Sequence, residues 1–250
     1  MPVEEVRDLG DGYGVVVFAA DPPIEARPGQ FAMVRGDWGH APLLPRPMSL
    51  LRAGSHAQML IKAVGEGTRR LLSMRKGDGL DVLAPLGTAF RPPPSGTRAV
   101  LVAGGVGVAP LAWWAAEIGS RPGPRPLFLY GGRTKNDLPL SEEILLSADL
   151  RVTTEDGSRG TKGRVSVLLE EAFAKGSFVY TCGPTAMMAA VAAAAAKAGV
   201  PCEASLEAPM ACGYGVCFGC VVPRTAGGYL YVCKEGPVVD AKDVAWGTWR

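Results

Sequence analysis

The segment Arg98-Ala99-Val100-Leu101-Val102-Ala103-Gly104-Gly105-Val106-Gly107-Val108-Ala109-Pro110 decides how this chain is read. Its first six residues form an apolar run suited to a strand buried on both faces of a parallel sheet. Three glycines interrupt the run, and Leu111-Ala112-Trp113-Trp114-Ala115-Ala116 continues as a helix. A helix N-terminus behind a glycine turn presents free N–H groups that suit a pyrophosphate. Gly104, Gly105 and Gly107 fall short of the full G-x-G-x-x-G fingerprint, so a purely structural turn is an equal reading of this motif taken alone.

Working outward, residues 126–132, 150–154 and 177–181 read as further strands, separated by helical stretches. The last run ends at Cys182-Gly183-Pro184. Gly183 permits close approach of a ligand, Pro184 suits a first helical turn, and a long helix is predicted from Thr185 to Ala198. Cys182 on its own is equally an ordinary buried thiol. This alternation predicts a doubly wound α/β domain over residues 93–201.

Upstream the character is different. Residues 14–18, 31–34, 47–51 and 58–62 are β-like and are punctuated by turns such as Arg27-Pro28-Gly29-Gln30 and Lys76-Gly77-Asp78-Gly79. This spacing predicts a small β-barrel over residues 1–92, with one helix from Thr68 to Met74. Arg91-Pro92-Pro93-Pro94-Ser95-Gly96 reads as the linker out of it. Within the barrel, Arg46-Pro47-Met48-Ser49 offers a guanidinium fork that suits a diphosphate and a hydroxyl that suits a flavin edge, although the tetrapeptide is common. Gly65-Glu66-Gly67-Thr68 opens the helix and offers a second anion-binding N-terminus.

Downstream, residues 202–250 carry Cys212, Cys217, Cys220 and Cys233 in the spacing C-x4-C-x2-C-x12-C. This is the plant-type spacing for thiolates around a two-iron, two-sulfur (2Fe-2S) cluster. Glycines at 213, 215 and 219 let the backbone curl so that its N–H groups reach sulfur. Zinc knuckles prefer two paired C-x2-4-C arms, and only one exists here. Two disulfides would require an oxidising compartment, to which nothing in the chain points. Cys202 stands outside the pattern.

Composition narrows the class. The 250 residues carry a net charge of +2 with acids and bases interspersed, so no nucleic-acid footprint is visible. No apolar run reaches membrane-spanning length, and the acidic N-terminus is unlike a signal peptide. A cytoplasmic protein is expected, in a reducing compartment. His40 and His56 are the only histidines, which argues against a Ser-His-Asp triad or a histidine-rich metal site.

Together these motifs resemble the ferredoxin reductase superfamily, whose members pair an FAD-binding barrel carrying R-x-x-S with an NAD(P)-binding α/β domain. Met210-Ala211-Cys212-Gly213-Tyr214-Gly215-Val216-Cys217-Phe218-Gly219-Cys220 and Val232-Cys233-Lys234-Glu235-Gly236-Pro237-Val238 narrow the likeness. They are similar to the family of electron-transfer subunits of NAD-dependent dihydroorotate dehydrogenases. The resemblance covers almost the whole chain and implies FAD, a 2Fe-2S cluster and NAD as cofactors. It implies that Arg46, Gly67 and Thr68 hold the FAD diphosphate, with Pro47, Met48 and Ser49 along the flavin. Gly104, Gly105 and Gly107 would admit the dinucleotide, with Cys182 and Gly183 beside the nicotinamide, and the four cysteines would hold the cluster. Met48 departs from plant-type reductases, which usually carry Tyr there.

The resemblance further implies a catalytic FMN-containing dihydroorotate dehydrogenase partner, in a heterotetramer of two of each chain, working in pyrimidine biosynthesis. Glu155 and Asp156 favour NAD over NADP, while Arg159 and Lys162 argue the reverse; NAD follows from the resemblance. Two rivals stand beside this reading. One is a diaphorase subunit of a hydrogenase, sulfide-reducing or ferredoxin-linked complex, many of which carry Asp at the position of Cys212. The other is a zinc-stabilised binding module.

Overall fold

The computed structural model describes residues 1–173 and 176–249. The N-terminal sheet is built from β1 (Val3–Gly10), β2 (Tyr13–Ile24), β3 (Phe31–Gly36), β4 (Arg46–Arg52) and β5 (Gly54–Lys62). Helix α1 (Glu66–Leu72) and β6 (Leu80–Leu86) complete it. All pairings are antiparallel, in the order β1-β2-β5-β4-β3-β6. The sheet curls until its edges meet at one end. There Leu80 N–H donates to Met1 O at 2.8 Å and Val3 N–H to Asp78 O at 2.8 Å.

The α/β part follows with β7 (Arg98–Gly104), α2 (Val108–Gly119), β8 (Leu127–Gly132), α3 (Ser141–Leu145), β9 (Asp149–Thr154) and β10 (Thr161–Lys162). It continues through α4 (Leu169–Ala172), β11 (Ser177–Cys182), α5 (Thr185–Ala198) and β12 (Cys202–Ser205). A hairpin of β13 (Val221–Pro223) and β14 (Tyr229–Tyr231), then α6 (Val232–Glu235) and β15 (Val238–Asp240), close the chain. The second sheet runs β10-β9-β8-β7-β11-β12-β15, parallel throughout except for β15. The expected boundary at 201/202 thus falls inside this sheet. β12 and β15, which flank the cysteine loop, are its last two strands.

Side-chain alternation explains how the parts adhere. On β2, Val16 and Phe18 enter the barrel core with Leu50, Met59 and Ile61, while Val15 and Val17 pack on the α/β side with Leu101 and Trp114. On β3, Ala32 and Val34 face the barrel core, while Phe31 and Met33 pack with Cys220, Val222 and Cys233. Each strand therefore reads as a continuous apolar run, because both of its faces are buried. The buried strand Ala99–Ala103 is apolar for the same reason.

Two sequence expectations shift. The barrel helix starts two residues before Thr68, because the Thr68 hydroxyl accepts the Gly65 N–H at 3.0 Å and caps the turn. Residues 91–96 carry no regular structure, yet the chain entering this segment is pinned. Thr88 N–H donates to Gly236 O at 2.7 Å, and Tyr180 OH donates to Arg91 O at 2.7 Å. Phe90 packs edge-on to Tyr180 with ring centroids 5.6 Å apart. No helix among the described residues is long and apolar enough to cross a membrane.

The strongest polar anchor of this segment is Arg91, whose guanidinium and backbone N–H both bond the carboxylate of Glu203, buried on β12. Desolvation raises the Glu203 carboxyl, and Arg91 opposes it. Arg91→Ala is expected to cost about 2 kcal/mol in denaturant melts, since it strands a buried carboxylate. A stranded acid with a raised pKa folds more favourably when protonated, so the deficit should shrink as pH falls towards the ordinary carboxylate range. An equal or growing deficit on acidification would contradict this assignment.

Candidate functional site

The first cluster of expected site residues lies where β4 begins. Arg46 and α1 come together because the chain returns from β5 directly over the start of β4. The Arg46 side chain lies across Gly67, where a Cβ would stand 2.5 Å from Nε. Any Cβ there would push the Arg46 side chain aside. The first helical bond of α1 runs from Arg69 N to Gly65 O at 3.0 Å, so the preceding N–H groups remain for a ligand. The Thr68 hydroxyl is fully engaged: it donates to Gly65 O and accepts from Val64 and Gly65 N–H, each at 3.0 Å. What Thr68 can offer an anion is therefore its backbone N–H. Pro47, Met48 and Ser49 pair with Met33, Ala32 and Phe31. Leu51, two residues beyond Ser49 and so on the same strand face, packs with the cluster shared with the α/β domain.

The second cluster is a cavity of about 540 Å³ at the carboxyl ends of β7, β8, β9 and β11. Sheet order reverses between β7 and β11, which is where open α/β sheets take ligands. Gly104, Gly105, Gly107 and Gly183 line it. A Cβ on Gly107 would meet the Cys182 carbonyl at 2.6 Å, so only glycine lets the turn after β7 lie against the end of β11. Cys182 itself is wholly buried, and desolvation pushes its thiol well above the ordinary range. Of the four charged residues weighed for coenzyme choice, Glu155 lines the cavity, 3.8 Å from Arg164. Arg159 instead pairs with Glu142 at 3.1 Å, and the Lys162 side chain lies against Gly157.

Several lining residues carried no signal in the sequence. Tyr13, Lys62, Arg133, Asp137 and Glu207 all face this cavity. Tyr13 and Lys62 begin and end barrel strands, and only the tertiary fold joins them to Asp137. Glu207 lies two residues beyond β12 and is exposed at the rim of the cavity.

The cysteine loop is the third cluster. Its four sulfurs fall into two pairs. Cys220 Sγ stands 3.2 Å from Cys233 Sγ, and Cys217 is the cysteine side chain that neighbours Cys212. Among the described residues no group of three or more ligating side chains gathers as a single metal-ion cage. Val216 N–H donates to Cys212 Sγ and Cys233 N–H to Cys220 Sγ, both at 3.4 Å. Gly213 and Gly215 adopt φ of 81° and 88°, which turns the loop's amides inward. Desolvation works against a Cys212 thiolate, yet N–H groups of Cys217, Tyr214 and Val216 outweigh it and lower the pKa to about 6. Burial and the neighbouring Cys220 push Cys233 up to about 12. Amide-solvated sulfurs in two pairs suit a two-iron centre better than a single ion.

A curled antiparallel sheet followed by this α/β domain is the ferredoxin reductase-like architecture. The same fold is seen in a ferredoxin NADP+ reductase from Neisseria gonorrhoeae solved with bound FAD and NADP (17% identity, TM-score 0.65, 79% of this chain and 90% of that one). A structure of NADH-dependent reduced ferredoxin-NADP oxidoreductase aligns over 99% of this chain and 90% of its own (27% identity, TM-score 0.88). Residues 207–245 match the iron-sulfur cluster binding domain of dihydroorotate dehydrogenase B, and 101–193 match the oxidoreductase NAD-binding domain. A Bacillus caldolyticus dihydroorotate dehydrogenase B (NAD(+)) electron transfer subunit is 38% identical over 87% of this chain and 86% of its own. The Listeria innocua counterpart is 31% identical over 98% of both. The chain belongs to the family of dihydroorotate dehydrogenase B (NAD(+)) electron transfer subunits.

Gly107→Ala is expected to destabilise the α/β domain by about 2 kcal/mol, because the clash is with backbone and cannot be relieved by a rotamer. The same variant should lose dinucleotide binding at temperatures where it remains folded. Wild-type melting and NADH affinity together would remove the close-approach role.

Proposed function

We infer that this chain carries electrons from a dihydroorotate-oxidising flavoprotein partner to NAD+, within pyrimidine biosynthesis. The observation that carries this reading is the packing of a dinucleotide cavity and a cysteine loop on one barrel, the cavity at β2 and β5 and the loop at β3, in a chain of this family. When bound, the 2Fe-2S cluster relays single electrons, and FAD converts between these and the electron pair delivered to NAD+.

In this reading Cys212, Cys217, Cys220 and Cys233 hold the cluster as thiolates. Four thiolates on two irons amount to two per iron, and the paired sulfurs fit that division. Arg46, with the N–H groups of Gly67 and Thr68, neutralises the FAD diphosphate. Pro47, Met48 and Ser49 border the flavin. Gly104, Gly105 and Gly107 admit the dinucleotide, and Gly183, backed by Cys182, leaves space for the nicotinamide. Glu155 beside the ribose favours NAD, since a carboxylate bonds a 2′-hydroxyl and repels a 2′-phosphate. Proton abstraction from dihydroorotate belongs to the partner, a catalytic subunit carrying FMN.

Tyr214, Val216 and Phe218 are exposed on the cysteine loop, so the cluster side of the chain offers apolar surface to that partner. The assembly is read as two copies of each subunit, in the reducing cytoplasm where thiolates remain available for iron. The likeness to the ferredoxin-linked oxidoreductase favours, as a second reading, the same wire serving a ferredoxin-coupled complex.

The test is anaerobic affinity capture from the native host, followed by dihydroorotate-dependent reduction of NAD+ by the captured complex. Capture of a hydrogenase or ferredoxin-linked subunit instead would reassign the electron donor. Cys217→Ser is expected to abolish the visible iron–sulfur spectrum while FAD stays bound. Arg46→Ala should weaken FAD retention by about tenfold, the scale of one charge-assisted contact. An intact cluster spectrum in the first variant, or unchanged flavin occupancy in the second, would overturn the respective role.

A further inference from the structure

Lys62, the last residue of β5, and Asp137, in the short helical turn Lys135–Asp137 after β8, meet across the two domains. Lys62 Nζ donates to Asp137 Oδ1 at 2.8 Å and to Tyr13 OH at 2.8 Å. Tyr13 OH donates to the same Asp137 oxygen at 3.2 Å. The ammonium also lies 4.4 Å from the centroid of the Tyr13 ring. Among the described residues, Tyr13 and Lys62 are the only barrel residues lining the dinucleotide cavity, and Asp137 lines it from the other side. The cluster rests against the glycine turn: a Cβ on Gly105 would stand 3.7 Å from Tyr13 OH, and Tyr130 OH donates to Gly105 O at 3.0 Å.

The rest of the contact between barrel and α/β domain is largely apolar, with Val15, Val17 and Leu60 packed beside Leu101 and Trp114. Apolar contact holds two bodies together but is non-directional, so it tolerates small rotations. Charge-assisted hydrogen bonds are directional and add geometric specificity. Desolvation opposes charge on both Lys62 and Asp137, yet each is held more firmly in its charged form by the other. Partly buried pairs of this kind add little net stability, and their better-attested use is to select one arrangement.

We propose that Tyr13, Lys62 and Asp137 form a positioning latch at the mouth of the dinucleotide cavity. The latch fixes how the nicotinamide-binding domain meets the flavin barrel, and so governs the rate of hydride transfer rather than dinucleotide affinity. It rests on the assignment of FAD to the barrel and NAD to the cavity.

The experiment uses the FAD-loaded full chain with Lys62→Met, Asp137→Asn and the conservative Lys62→Arg. Three readouts apply: stopped-flow bleaching of the flavin by saturating NADH, NADH affinity by fluorescence, and amide hydrogen exchange over residues 133–138. Lys62→Met and Asp137→Asn are expected to bleach about 10- to 100-fold more slowly, as small misplacements of reacting groups do. Their NADH Kd should stay within about threefold, the signature of a loss confined to the chemical step. Exchange over residues 133–138 should quicken in both, and Lys62→Arg should recover most of the rate. An unchanged rate, a Kd loss large enough to explain the slower bleaching, or unaltered exchange would overturn the latch. If wild-type flavin is not bleached by NADH, the site assignment fails instead, and the exchange comparison still decides the latch.

Discussion

The arrangement depends on one junction, where the chain leaving the barrel, the last parallel strand and the segment after the cysteine loop share hydrogen bonds. Thr88 donates its N–H to Gly236 O, and its hydroxyl both donates to Val238 O at 2.8 Å and accepts from Val238 N at 3.1 Å. Val238 pairs with Ser205 on β12, and Leu206 N–H donates to Pro237 O at 2.9 Å. Gly87 makes this possible. Its φ is 71°, and a Cβ there would meet Pro237 Cδ at 2.5 Å. The cysteine loop is thus strung between two strands of the nucleotide sheet and tied to the exit of the barrel. A loop anchored only at its ends by solvent-exposed chain would leave its cysteines free to wander relative to both other sites.

This junction explains which features were legible in the sequence. The run Ala99–Ala103, the turn at Gly104–Gly107 and the helix Thr185–Ala198 are local patterns, and local sterics suffice to specify them. The cysteine spacing was legible because ligand chemistry demands fixed intervals along the chain. Strands β12 and β15 were not, being short, carrying Glu203 and Asp240, and taking strand form only through distant partners, β12 beside β11 and β15 on the edge of β12. The same holds for Arg91. In the sequence it opens a proline-rich linker, yet the partner that pins it, Glu203, lies 112 residues away. Buried acids look like surface residues until their counter-ion is known.

The site divides along the same line. Glycines at 107 and 183 announce themselves because neighbouring backbone stands where a Cβ would go. Tyr13, Lys62 and Asp137 do not, since their meeting depends on how two separately folded sheets are set against each other. The Thr68 hydroxyl shows the limit of a motif. Its position at a helix start was legible, but its engagement with Val64 and Gly65 leaves only the backbone N–H to face outward.

Burial along the cysteine loop carries one last step. Gly213 presses on Met33 and Leu86 of the barrel, where any side chain would intrude, and Cys220 and Cys233 are buried beside β3. The opposite flank carries Tyr214, Val216 and Phe218, all exposed. One flank of the loop is therefore sealed against the barrel, and the other is open to a second protein. The loop's sulfurs thus lie between an outside surface and the barrel strand β3, while the barrel residues that line the nucleotide cavity, Tyr13 and Lys62, belong to β2 and β5. The cysteine loop and the nucleotide cavity therefore engage different strands of one barrel. That separation is what a wire between two enzymes requires, and an enzyme acting on its own small substrate would have no need of it.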